Sequence, residues 1–162
     1  MLGPAHSATW AARLRLAAVL KLLGSQGSHA HRERARAMFA SLADYYPSQL
    51  GDSHPTSLAV KEALAELCML TGQAAQAEKI LRSMLQPAAP SPSSPAGSGS
   101  RPLSTEFLLA ECLMMLARYE EAELLHRRVL GNRRQRLGWS HLDCFRSMHA
   151  LANALVRPHE MG

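Results

Sequence analysis

"LGDSHPTSL" (residues 50–58) and "LGWSHLDCF" (137–145) share one frame, Leu-Gly-x-Ser-His and then, after three residues, an apolar side chain. The two copies lie 87 positions apart. Two short matches prove little alone; the surrounding residues decide whether a repeat is present. They repeat as well. "ALAEL" (63–67) falls on "ALANA" (150–154) at the same shift of 87. "TGQAAQAEKILRSML" (71–85) falls on "LARYEEAELLHRRVL" (116–130) at a shift of 45, which sets Ala77-Glu78 on Ala122-Glu123 and Leu81 on His126. A fainter copy sets "HRERARAMFASLADYYPSQLG" (31–51) on "RYEEAELLHRRVLGNRRQRLG" (118–138). The unit is about 42 residues long, a period that marks stacked helix pairs.

Apolar residues recur at spacings of three and four, as in Leu58, Leu64, Leu67, Leu70 and in Leu124, Val129, so the units read as helices. The spacing predicts helices at 7–23, 30–46, 55–70, 74–86, 104–116, 119–134 and 141–156. Pro47 and Gly51 are expected to end the second. Pro55 suits a first helical position behind Ser53 and His54. Gly72 marks a turn. Small residues recur where paired helices cross: Ala65, Ala110 and Ala152 late in the first helix of each unit, Ala77 and Ala122 early in the second. A larger side chain at such a crossing overpacks it.

These stretches, "LGDSHPTSLAVKEALAELCMLTGQAAQAEKILRSML" and "ARYEEAELLHRRVLGNRRQRLGWSHLDCFRSMHALANAL", resemble tetratricopeptide repeats (TPR) of the long, kinesin-light-chain-like subtype. The resemblance covers roughly residues 31–157 and, weakly, the first helix. It implies an all-α fold: a right-handed superhelical solenoid of about three antiparallel helix pairs, the last pair truncated. It also implies a scaffold whose motif residues build the fold. The subtype carries paired Asn on its inner face, where this chain has Glu62-Ala63, Phe107-Leu108 and His149-Ala150. In the third copy Leu142 replaces the Pro.

The 162 residues are expected to form a single TPR-like domain, 1–162, with one interruption, "PAAPSPSSPAGSGSRP" (87–102). Pro, Ser and Gly there predict a flexible loop inserted between repeats. An inert spacer is the plainer reading of it; phosphorylation of Ser91 or Ser94, each followed by Pro, is the functional one. No apolar run approaches the roughly 20 residues of a membrane span. Residues 1–36 carry six Lys/Arg and one acid, whereas the rest of the chain is nearly balanced. An acid-free start suits a transit peptide and organellar placement. The alternative is a first domain helix in a cytoplasmic protein, with Trp10, Leu14, Leu16, Ala17, Leu20 and Leu23 on its apolar face. Cys68, Cys112 and Cys144 are odd in number and widely spaced, which argues for buried thiols in a reducing compartment.

Catalytic signatures are absent: no Gly-rich phosphate loop, no Gly-x-Ser-x-Gly, no His-Glu-x-x-His. No cofactor is expected, and no metal. His141 and Cys144, one turn apart, supply two ligands where zinc takes three or four. His54 and His141 suit a structural hydrogen bond at the repeat junction. The run from Arg127 to Arg136 holds five arginines. Phosphate contacts to nucleic acid would use them; a solvated face or an acidic-peptide edge is favoured, because Glu120, Glu121 and Glu123 lie just before it.

The reading is a non-catalytic interaction module that binds a protein or peptide, acidic ones included, on its helical surface. Lys61, Glu62, Arg146 and His149 are the candidate contacts, since they flank buried positions on the first helices. The apolar face of Phe145, Met148, Leu151 and Leu155 is expected to self-associate, to dock a partner helix or to be covered by the first helix. The alternatives are a nucleic-acid-associated repeat protein and a fragment of the helical arm of a larger enzyme.

Overall fold

The computed structural model describes residues 7–86 and 103–156. Seven helices account for them: α1 (Ser7–Ser25), α2 (His29–Leu50), α3 (Pro55–Leu70), α4 (Ala74–Leu85), α5 (Leu103–Met115), α6 (Tyr119–Leu137) and α7 (Leu142–Val156). No strand occurs among the described residues, as the sequence predicts. The expected loop at 87–102, with Ser91 and Ser94, lies outside them. The chain divides into two compact units, Met1–Ile80 and Leu81–Gly162.

The opening echo has a hydrogen-bonded cause. Gly51 takes a positive φ of 91° and its N–H donates to the Pro47 carbonyl at 2.9 Å; Gly138 (φ 80°) does the same to Arg134 at 3.1 Å. Such a backbone favours glycine because it has no Cβ. Three residues on, His54 Nδ1 accepts the Thr56 N–H at 3.2 Å, and His141 Nδ1 accepts the Asp143 N–H at 3.2 Å. Each imidazole occupies one of the N–H groups that a helix start leaves bare. Leu-Gly-x-Ser-His is thus a stop signal followed by a start signal.

The other junction repeats too. Gln73 N–H bonds the Cys68 carbonyl at 2.7 Å, and 45 residues later Arg118 N–H bonds that of Leu113 at 2.9 Å. The intervening residue is left-handed in both: Gly72 at φ 78°, Ala117 at φ 58°.

In the first unit α2 packs on α1 and α3. The α1–α2 pair is antiparallel: Arg32 Nε donates to the Gly24 carbonyl at 2.8 Å beside the turn, and Trp10 stacks on Tyr45 at 4.2 Å at the far end. Ala17, Leu20, Ala35, Phe39, Leu42, Val60, Leu64 and Leu67 form the core. In the second unit α6 packs on α5 and α7, which also touch each other. Leu109, Ala110, Cys112, Leu113, Ala122, Val129 and Ala150 are buried there.

Three expectations change. Pro47 does not end α2, which runs on to Leu50. Proline removes one backbone donor, and the Gly51 cap holds the last turn closed across it. On α1, Leu16 and Leu23 are exposed while Ala17 and Leu20 are buried. Ala65, Ala110, Ala77 and Ala122 are buried as expected, but Ala152 is exposed and Ala154 is buried in its place. α7 rests on α6 along the row of Cys144, Ser147, Ala150 and Ala154, which leaves Ala152 outside the contact.

Candidate interaction site on α5 and α7

Spacings of three and four put Arg146, His149 and Asn153 on one face of α7, and Phe107 and Glu111 on one face of α5. With Phe145 and Ala150 they line an open hollow of about 440 Å³ in the second unit.

The hollow is braced from behind by α6. Arg133 is buried, and its Nη1 donates to the Asp143 carbonyl at 3.0 Å and to Ser147 Oγ at 2.8 Å. Its guanidinium lies 4.6 Å from the centre of the Phe107 ring, and that of Arg146 lies 5.9 Å away. The same ring meets His126 edge-on at 5.5 Å. Phe107 is therefore fixed by cation–π and edge contacts before anything binds.

His126 has no exposed surface and neither ring nitrogen has a hydrogen bond. Burial, with the Arg133 charge beside it, pulls its pKa from 6.5 down to about 4, so the ring is neutral at pH 7. Its Nε2 lies 3.4 Å from Glu111 Oε1 without bonding geometry. The register explains this side chain: His126 occupies the position of Leu81, which is also fully buried. Glu111 is a wall of the hollow. Partial burial raises its pKa, opposed by the charges of His149 and Arg146. The site thus carries both signs, with Asp143 Oδ1 3.8 Å from Arg146 Nη1.

Of the four candidate contacts, the structure brings Arg146 and His149 into one hollow. Lys61, in the first unit, donates to Asp52 Oδ1 at 2.6 Å, and Glu62 beside it on α3 is half-buried. Phe107, Glu111 and Asn153 join the site without having been singled out as contacts, and Phe145 joins it from the apolar face of α7 expected to self-associate, dock a partner helix or be covered by the first helix. A signal for Phe107 was present, since the repeat register places it and His149 at equivalent positions. The first unit has its own hollow, of about 360 Å³ and almost wholly apolar, where Leu14, Ala18 and Leu22 face Phe39, Ala59 and Ala63.

The arginine run is largely committed within the fold. Arg127 pairs with Glu123, Arg128 donates to the buried Glu106 at 3.0 Å, Arg133 is buried, and Arg134 lies 3.3 Å over the Trp139 ring. His141 and Cys144 are likewise engaged, the thiol donating to the Gly138 carbonyl at 3.2 Å. All three cysteines are buried, and none is in a disulfide.

Among solved structures the chain is similar to the nearly identical TPR-like repeats of a Podosopora anserina protein named as a kinesin light chain. The TM-score is 0.71 at 22% identity, over 93% of this chain and 67% of that one. A second structure under that name gives 0.70 at 24% identity, over 88% and 63%. The chain spans about two thirds of the length of those structures. The shared architecture is the TPR-like helical-repeat fold. No family model matches the chain, and no curated protein does.

Proposed function

We infer that this chain is a non-catalytic, cytoplasmic protein-interaction module that takes a protein or peptide segment in the α5–α7 hollow. One observation carries the reading: aromatic and hydrogen-bonding side chains from two successive first helices converge on one open hollow, over a wall that Arg133 holds rigid. Preorganised aromatic and Arg anchors are the side chains that supply most binding energy at protein interfaces. Arg146 and His149 favour acidic side chains in the bound segment, and Glu111 and Asn153 suit its backbone N–H and C=O groups. Lys61 and Glu62 are separate candidate contacts on the first unit.

The test is capture from native lysate by the full chain, by Phe145→Ala and by Arg146→Glu, each with and without nuclease. Both positions are exposed, so the variants keep the fold. The expected result is a discrete set of proteins that survives nuclease and falls about tenfold with either variant. An unchanged set in both variants overturns the assignment of the site. A set lost to nuclease overturns the protein-partner reading in favour of nucleic acid.

A further inference from the structure

The two Leu-Gly-x-Ser-His corners keep one junction and differ around it. At the shift of 87, Pro47, Gln49, Asp52 and Pro55 give way to Arg134, Arg136, Trp139 and Leu142. The bonds that the two junctions share use backbone groups and the histidine ring alone, so the junction itself requires none of the four new side chains. The first corner is closed on itself, since Asp52 Oδ1 accepts from Lys61 Nζ at 2.6 Å. In the second, Trp139 and Met148 stand at those two positions and no such pair can form. Leu142 there is 70% exposed, Trp139 58% and Leu137 45%, all three within six residues of chain. Exposed apolar side chains scattered singly need no explanation, but a cluster marks an interaction surface.

The Arg134 guanidinium, 3.3 Å over the Trp139 ring, holds the indole in place before anything binds. Trp and Arg are the residue types that carry most of the binding energy at protein interfaces. The charge around them says what the surface fits. No acidic residue stands between Glu123 and Asp143, while Arg134 and Arg136 end α6 and His141 follows. Asp143 itself lies 3.6 Å from His141 Nδ1 and 3.8 Å from Arg146 Nη1. A basic surface attracts an acidic partner, and a second copy of this chain, of net charge +5, brings the same sign. Nucleic acid shares the charge preference, but its bases stack on open aromatic faces. Arg134 already takes one face of Trp139, and Leu137 and Leu142 offer no ring. Leucines suit the apolar side chains of a protein.

We propose that the α6–α7 corner binds an acidic protein segment that carries apolar side chains: Leu137, Trp139 and Leu142 take the apolar groups, and Arg134 and Arg136 meet the carboxylates. The corner shares no residue with the lining of the α5–α7 hollow and stands without it.

The experiment selects binders of the full chain from a displayed library of random short peptides and measures the selected peptides by calorimetry. They are expected to be rich in Asp and Glu together with Leu or Phe. Trp139→Asp with Leu142→Pro sets the residues of the first corner into the second, where the same junction already carries them, and circular dichroism checks that helicity is kept. This double variant is expected to bind the selected peptides about tenfold more weakly. Arg134→Gln weakens binding by a smaller factor and flattens its dependence on salt. Arg146→Glu, in the hollow, leaves it within about twofold. The proposal is overturned if no peptide is selected, if the selected peptides lack acidic residues, or if the corner variants bind them as the full chain does. Peptides lost with Arg146→Glu alone belong to the hollow and not to the corner. A single-stranded oligouridylate that binds the full chain but not the double variant, where no peptide does, assigns the corner to nucleic acid; either result also overturns the proposal.

Discussion

Ala117 holds a left-handed backbone, φ 58°, at the turn where the preceding repeat has Gly72 at φ 78°. The hydrogen bond across the turn is the same in both, so the alanine bears a Cβ in a conformation that disfavours one by roughly 1–2 kcal/mol. Ala117→Gly is expected to stabilise the second unit by about 1 kcal/mol after the glycine's greater unfolded-state freedom is subtracted. Chemical denaturation with an unchanged m-value checks it; a loss of stability counts against strain at this turn. Ala for Gly72 and His for Leu81 both fall in the second copy of the pair.

At the scale of helices, Gly24 on α1 lies tight against the start of α2. A Cβ there would meet Arg32 Cγ at 2.8 Å and the Arg32 backbone N and Cα at 3.2 and 3.3 Å. The backbone atoms cannot swing aside, so Gly24→Ala pushes the helices apart and strains the Arg32 bond to the Gly24 carbonyl. The expected loss is about 1–2 kcal/mol, against the roughly 1 kcal/mol that alanine gains within a helix. Thermal unfolding measures it; a rise in Tm would mean that the pair has slack. The helices themselves are legible in the sequence, because spacing and junction chemistry agree at the α2–α3 and α6–α7 turns and at the α3–α4 and α5–α6 turns. Pro47 misleads since a lost donor marks a helix end only when nothing recloses the turn. Leu16 and Leu23 mislead since periodicity cannot choose a buried face on a helix that is apolar on both. Arg146 and His149 are legible as flanks of buried positions on α7. Phe145 is legible as part of the apolar face of α7; Glu111 and Asn153 matter only because α5 and α7 touch, and no local pattern carries that contact.

At the scale of the whole molecule, the buried His126 ties stability to pH. The unfolded chain's imidazole takes its proton near pH 6.5, the folded one only near 4. Between those values the unfolded state binds more protons, so this contribution is complete above about pH 6.5 and is lost as pH falls toward 4. Its size is roughly 3 kcal/mol. Glu111 acts in the opposite sense: its raised pKa favours the folded chain when the carboxyl is protonated, and that part is lost as pH rises. His126→Leu restores the side chain of the preceding repeat, removes two unpartnered buried nitrogens and flattens the profile between pH 6.5 and 4. Stability at pH 7 is expected to rise by about 1–3 kcal/mol. Denaturant midpoints across pH measure both effects; parallel profiles for the two proteins would mean that His126 does not set the acid limb.

The chain has two tryptophans, and they fall one to each unit. Trp10 lies half-covered between the Tyr45 ring and the Arg13 guanidinium, 4.7 Å from the latter; Trp139 is exposed beneath Arg134. Their indoles sit in different polarity, so their emission separates in colour. Fluorescence therefore follows α1 and the α6–α7 corner as two independent signals, with no label added.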